Sequence, residues 1–428
     1  MHPSPPKTAP HTGASWRVIL IGVLLIIPNV YWVTDSAEQG DPTTVSLYFN
    51  VVFCIFILTS LNALLARIHS AMMLKPGELV TIYAMLAIAS SLAGHDLLSG
   101  LIPMIPHAFW YATPENDWAA LFHRHIPDWL AVKDKAILAD YYRGESSFYH
   151  WEVVQGWLVP TVTWGSFVCV LLFLMVCINS IIRKQWIEAE KLSYPIIQLP
   201  LALVTGRESS SFLTSRMLWI GFCTAGSIDL LNGLHFLNPE FPSLGGNVYD
   251  IGALFTEKPW SAIGWTPVAV YPFAVGLAIF IPLDLSFSCW FFYLVWKAVY
   301  IYDDAAKTLP NNALTYQTFG ACIGLAVLAL YVTRRHLARA IRKALTNDSS
   351  FDDSNEPMSY RTAMLGTVVG ALLVMLFCYA AGMSVWAVLV FFGIYYAISL
   401  AITRMRAELG APVHELLYIG PTKLCPPC

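Results

Sequence analysis

The sequence predicts an all-α polytopic membrane bundle of about ten transmembrane helices, with one or two broken or re-entrant segments. Three observations carry this. Of 428 residues, 57% are hydrophobic and 12% charged, about half the roughly 25% charge of a soluble domain. Ten apolar segments approach the roughly 20 residues that a helix needs to cross a bilayer. The 15 Trp and 20 Tyr are enough to furnish aromatic belts at two interfaces. The net charge of −3 comes with no basic, aromatic-interleaved soluble patch, so nucleic acid is not an expected partner and the lipid bilayer is. The cysteines Cys54, Cys169, Cys177, Cys223, Cys289, Cys322 and Cys378 are scattered singly in apolar runs. They lack ligand spacing and read as small buried hydrophobes, so no metal site and no cofactor is expected.

In chain order, residues 1–16 are polar and Pro-rich and read as a disordered cytoplasmic tail. The run after Arg17 is too long for a signal peptide and lacks a small-residue cleavage site, so it reads as the first span. Helices are expected near 17–34, 44–66, 77–94, 157–182, 216–236, 264–282, 285–302, 315–333, 362–381 and 384–403. Together 17–403 form the transmembrane domain, with an outside loop at 112–156, rich in Trp, Tyr and His, and cytoplasmic loops at 183–215 and 334–361. Residues 404–428 read as a C-terminal tail.

Basic residues set the orientation. Arg67, Lys75, Arg183, Lys184, Lys191, the run RRHLARAIRKAL from Arg334, and Arg404 with Arg406 fall on one side if the N-terminus is cytoplasmic. The first outside loop then holds Asp35, Glu38 and Asp41 and no base, as the positive-inside pattern requires. Both termini are therefore expected in the cytoplasm, with the protein integral to the cytoplasmic (inner) membrane. The basic helix from Arg334 reads as an anchor on anionic lipid.

Two stretches have the wrong length for simple spans. Residues 79–111 would make one helix about 50 Å long at 1.5 Å per residue, and Gly94, Gly100, Pro103 and Pro106 interrupt it. Residues 264–302 hold two short apolar runs split at Pro282-Leu283-Asp284, either two short spans or a re-entrant hairpin. Both breaks place an acid at the start of the following helix: Gly94-His95-Asp96 in one, Pro282-Leu283-Asp284-Leu285-Ser286 in the other. An acid there can simply cap the helix. It can also line a polar pathway, since charge within a bilayer is costly unless it faces a cavity or a partner, and Gly/Pro-broken segments point to a transporter's substrate site. Asp229, Asn232 and His235 follow at three-residue steps on one helix face, which suits either a proton or polar-solute path or a buried interhelical hydrogen-bond cluster. The candidate substrate or proton pathway is thus His95, Asp96, Asp229, Asn232, Asp284 and Ser286. Lys297, near the outer end of its helix, reads as snorkelling.

No catalytic signature is present: HExxH, GxSxG, a Walker A loop and paired CxxC motifs are all lacking. Cys425 and Cys428 have CxxC spacing without partner ligands.

Distinctive motifs stand at Trp186–Pro200 (WIEAEKLSYPIIQLP), Tyr271–Lys297 (YPFAVGLAIFIPLDLSFSCWFFYLVWK), Met358–Arg361 (MSYR) and Leu400–Gly410 (LAITRMRAELG). From about Trp16 to Pro412 the chain resembles an uncharacterised bacterial membrane family related to the oligopeptide transporter superfamily, which includes peptide transporters and carriers of metal chelates. The EKLSYP stretch is similar to a cytoplasmic signature of that superfamily. The resemblance implies proton-coupled secondary transport of a small-molecule substrate through a many-helix bundle. Members usually continue with further spans beyond the RAELG segment, so this chain is expected to be a C-terminally truncated one. The expected function is secondary transport of a small organic solute such as a peptide or metal chelate. The alternatives are a membrane-embedded enzyme using His95, Asp96 and Asp284 on a lipid-linked or exported substrate, for which His107, His123, His125 and His150 in the outside loop are weak evidence of a metal site and read first as solvated loop residues, and a non-transporting sensor or scaffold.

Overall fold

The computed structural model describes residues 15–36, 43, 47–69, 72–95, 97–144, 146–147, 149–205, 214–244, 248–308, 310, 313–346 and 351–410. The expected N-terminal tail before Ser15, Asp96 and the Cys425–Cys428 pair lie outside them. The α-helices of seven residues or more are α1 (Trp16–Asp35), α2 (Phe49–Ile68), α3 (Pro76–Ala93), α4 (Leu98–Trp110), α5 (Lys135–Arg143), α6 (Trp151–Lys184), α7 (Pro195–Thr205), α8 (Arg216–Leu237), α9 (Pro272–Ala278), α10 (Leu283–Ala306), α11 (Ala313–Thr346), α12 (Tyr360–Ala380) and α13 (Val385–Leu409). A two-residue antiparallel pair, β1 (Tyr249–Asp250) with β2 (Pro267–Val268), is the sheet among the described residues. Nine helical stretches there are long and apolar enough to cross a bilayer, with α3 and α4 counted as one. The protein is an all-α membrane helical bundle.

The chain divides into two compact units. Unit 1 holds the described residues of 1–97, 193–313 and 405–410, and unit 2 those of 98–192 and 314–404. In unit 1, α1, α2, α3 and α7 share a core of Val18, Val51, Ile55, Leu79, Ile82, Leu86 and Leu203. Helix α8 has no buried residue, as an apolar helix facing lipid tails need not.

The expected span at 264–282 is not a helix of spanning length. Gly264 adopts φ +60°, Pro267 sits in β2, Pro272 starts α9 and Pro282 precedes α10. The seven residues of α9 rise only about 10 Å at 1.5 Å each, far short of a bilayer core of about 30 Å. Helix α10 returns beside the loop that precedes α9. Lys297 Nζ donates to the carbonyls of Ile263 at 3.0 Å and Trp265 at 2.7 Å, and Lys258 lies 4.0 Å from Asp304. Both ends of the segment therefore meet at the same loop, and α10, with 24 residues, is itself long and apolar enough to cross a bilayer. Lys297 does not snorkel: it is 6% exposed, with its ammonium beside the Tyr293 and Trp296 rings. Lys297→Met keeps the stem and removes both carbonyl bonds. Hydrogen bonds to a charged group contribute about 1.5–3 kcal/mol each, so amide hydrogen exchange across 260–268 should accelerate at least tenfold (about 1.4 kcal/mol). Unchanged protection would show the lysine to be idle.

In unit 2, α6 and α12 run antiparallel in close contact. A Cβ on Gly366 would meet Cys177 Sγ at 2.6 Å and the Phe173 ring at 3.0 Å, and one on Gly370 would meet Leu174 at 3.0 Å. This is the small-xxx-small spacing that lets membrane helices approach closely. The 34 residues of α6 extend about 51 Å, more than a bilayer requires. Its first turns join a cap with α4, α5 and the intervening loop, around Ile105, Phe109, Val132, Leu138, Val153 and Trp157. Trp164 Nε1 donates to the Leu130 carbonyl at 2.9 Å where cap and helix pair meet.

At the other end of unit 2, the segment 351–359 straps the basic extension of α11 to α6. Arg183 pairs with Glu356 at 3.1 Å, Lys184 donates to the Asp352 carbonyl at 2.8 Å and Lys343 lies 3.9 Å from Asp353. Phe351 stacks on Tyr360. Asp352, outside the helices, is held below the usual carboxylate range by the backbone N–H and hydroxyl of Ser354.

Candidate functional site

The helix break expected in 79–111 is present: α3 ends at Ala93 and α4 begins at Leu98. The end of α3 is fixed by Thr43. A Cβ on Gly94 would fall 2.1 Å from Thr43 Oγ1, so a side chain is sterically excluded there, and His95 N donates to the same oxygen at 3.2 Å. One turn before the break lies a buried polar cluster. Asn29 Nδ2 donates to Ser90 Oγ at 2.8 Å; Asn50 Nδ2 donates to Asn29 Oδ1 at 2.9 Å and to Ser90 Oγ at 3.0 Å. Asn29 is 2% exposed, and Asn50 and Ser90 are 0%. The three residues come from three helices, α1, α2 and α3, set among Val51, Ile55, Ile82 and Leu86. Asn50 Oδ1 is buried without a hydrogen-bond partner. The cluster carries no formal charge, so it can bind and orient uncharged polar groups but takes up no proton near neutral pH.

The second break, at Pro282, is also present. Asp284 lies in the first turn of α10, at the surface of unit 1, and the helix start has no side-chain cap hydrogen bond. Ser286 is in the same turn, its N–H bonded to the Pro282 carbonyl at 2.9 Å, and Ser288 Oγ donates to the Asp284 carbonyl at 2.8 Å. On α8, Asp229 is exposed. Asn232 latches the segment beyond the helix: its Nδ2 donates to the Leu244 carbonyl at 3.2 Å and its Oδ1 accepts from Leu244 N at 2.9 Å. His235 Nδ1 meets the Phe241 carbonyl in the same turn. The polar face of α8 is thus in part a clasp for its own C-terminal loop. His95 follows the Gly94 cap of α3, Asp284 and Ser286 open α10, and Asp96 lies outside the described residues.

The motifs WIEAEKLSYP and TRMRAELG meet. In unit 2, Gln185–Ala189 is a π-turn extending α6. Glu190, on the residue after it, accepts from Gln185 Nε2 at 3.0 Å and pairs with Arg404, whose guanidinium lies 5.5 Å from the Trp186 ring. In unit 1, Ser193 Oγ donates to the Glu408 carbonyl and Tyr194 N to the Ala407 carbonyl, both at 2.9 Å. Gly410 (φ +56°) ends α13, and a Cβ there would meet Pro195 at 2.7 Å. Lys191 and Tyr194 hold φ +53° and +44°, a conformation that costs a non-glycine residue about 1–3 kcal/mol and needs such surroundings. The stretch read as a tail from residue 404 is therefore the last turns of α13, through Leu409, held by these bonds.

Three of the four histidines named in this region, His107, His123 and His125, have structural partners. His123 Nε2 meets the Ala108 carbonyl at 2.8 Å, His125 Nε2 accepts from Arg124 Nε at 3.1 Å, and His107 lies against Tyr111 and Trp118. Among the described residues no group of three or more His, Cys, Asp or Glu side chains is placed to hold a metal ion.

Asn29, Asn50 and Ser90 are not among the residues that the sequence alone picks out. Their signal was present, since each is a polar residue inside an apolar run, but which of them meet depends on the packing of three helices.

Fold and site define a polytopic helical membrane protein with a neutral polar cluster buried beside a broken helix. Over residues 8–425 the chain matches a family of unknown function, DUF6785, and it belongs to that family. No curated protein and no solved structure matches it.

Proposed function

We propose that the protein is a secondary transporter, proton-coupled, that carries a small organic solute such as a peptide or a metal chelate across the cytoplasmic membrane. The observation that carries this reading is the buried Asn29–Asn50–Ser90 cluster one turn from the break in α3. Polar groups inside an apolar helical core favour a path for polar cargo, and interrupted helices are where transporters bind it. The second break at Pro282, with Asp284 beside it, supports the same reading and supplies an ionisable group that the cluster lacks. The similarity of EKLSYP to a cytoplasmic signature of the oligopeptide transporter superfamily supports the transport reading.

Purified protein in proteoliposomes, given an inward proton gradient and a mixture of di- and tripeptides and metal chelates, should accumulate at least one of them, and a protonophore should abolish the uptake. Asp284→Asn changes only the charge, so it should fold as the parent does and lose flux. Absence of uptake for every solute offered, or full flux in Asp284→Asn, would contradict the respective parts. The proposed orientation puts both termini in the cytoplasm. A cysteine at Ser147 should then label from outside intact cells, and one at Ser354 only after permeabilisation; the opposite pattern inverts the topology.

A further inference from the structure

We infer that the strap 351–359 is a pH-sensitive latch: it closes over a neutral His336, and a proton taken up by that ring releases it from α6 and α11. The inference stands apart from the transport reading and from the orientation in the membrane.

His336 lies on the basic extension of α11 and is 2% exposed. Its Nε2 is 2.8 Å from the Ile181 carbonyl of α6. A carbonyl only accepts, so Nε2 carries the hydrogen and donates it. Two aromatic rings meet the imidazole, Phe351 of the strap at 5.5 Å and Tyr360 of α12 at 5.9 Å between centroids. Phe351 stacks on Tyr360 at 5.3 Å, so the strap supplies part of the cover over the histidine.

The charges around the ring do not favour another cation. Lys184 of α6 and Arg339 of α11 each lie 5.1 Å from the Phe351 ring, and both face His336. Among the described residues the carboxylate that faces it is Glu356, whose side chain is 1% exposed and already paired with Arg183 at 3.1 Å. Asp353 is taken by Lys343 at 3.9 Å and by Tyr360 N, which donates to its Oδ2 at 3.0 Å. An imidazolium there is a buried charge beside two cations with no carboxylate of its own, which is costly. Opening the strap hydrates it. Residues 351–359 hold no helix or strand. Their grip is the contacts just named and the Lys184 bond to the Asp352 carbonyl, and such segments open at a free energy well below that of global unfolding.

The direction with pH follows. The closed strap holds the ring unprotonated, whereas the open one exposes an ordinary histidine, which titrates at about 6.5. The latch therefore has its full strength above that pH and loses it as the pH falls through it. The open fraction grows by a factor of about 1.1 at pH 7.5 and about 11 at pH 5.5, a ratio of about tenfold.

The test is hydrogen exchange of the full chain in lipid nanodiscs, read by mass spectrometry and corrected for the intrinsic pH dependence of amide exchange. Protection of 352–360 should fall about tenfold from pH 7.5 to 5.5, with onset near pH 6.5, while that of 370–380 in α12 stays constant. His336→Gln keeps a donor for the Ile181 carbonyl and takes up no proton, so its strap should be equally protected at both pH values. Constant protection of the wild-type strap, an equal fall in 370–380, or a full tenfold fall in His336→Gln would overturn the inference. Should His336→Gln not fold, the wild-type onset decides: a fall that begins only near the ordinary glutamate value of about 4.3 would assign the proton to Glu356 and overturn the role of His336.

Discussion

Arg404→Ala is expected to destabilise the protein by about 3–5 kcal/mol, because it leaves the Glu190 carboxylate in a mostly buried place with Gln185 as its remaining polar contact. The two side chains are 16% and 14% exposed, so solvent cannot take over the lost pairing. Arg404→Lys should restore little. A lysine brings a point charge, not the planar group that lies over the Trp186 ring. Adding Glu190→Gln to Arg404→Ala should recover much of the loss, since the uncompensated charge is then gone. Thermal unfolding in detergent, with Glu190→Gln alone as the reference, checks the set. Equal unfolding temperatures for parent and Arg404→Ala would mean that the pair does not stabilise the junction of the two motifs.

Gly366→Leu should separate α6 from α12. The glycine faces Cys177 and Phe173 so closely that a Cβ alone would sit 2.6 Å from the sulfur and 3.0 Å from the ring. Overpacking typically costs about 1–3 kcal/mol, and a leucine adds three more carbons in a direction where α6 has no room. The gain in helix propensity over glycine, about 1 kcal/mol, does not offset this. Gly366→Ala should be milder, and Cys177→Ala should relieve it, because the nearest clash is with the sulfur. Unfolding temperatures of the parent, Gly366→Ala, Cys177→Ala and the double variant form a double-mutant cycle. A Gly366→Leu protein as stable as the parent would show that the two helices do not pack as described.

How legible all this was in the sequence depended on the range of the signal. Long apolar runs announced the spans, because span length is set by bilayer thickness alone. Gly94 and Pro282 announced the two breaks, because glycine and proline act on the local backbone. The segment 264–282 has the apolar content of a span, but Pro267, Pro272 and Pro282 divide it into pieces too short to cross. Lys297 was read as reaching for solvent, since nothing in the sequence tells that the carbonyls of Ile263 and Trp265, more than thirty residues earlier, converge on its ammonium. The same holds for the Asn29–Asn50–Ser90 cluster, made by residues 21 and 40 positions apart. The motifs EKLSYP and RAELG stood out as words, but that they bind one another is a fact of packing.

The central claim is that this bundle couples solute movement to protons. Proteoliposomes adsorbed on a solid-supported electrode, with the membrane clamped at zero pH difference, report it most directly. A jump in concentration of a solute found by the uptake screen should produce an inward positive current that grows as pH falls and disappears in Asp284→Asn. Uptake of the solute with no current, the same at every pH and unaltered by Asp284→Asn, would contradict the claim.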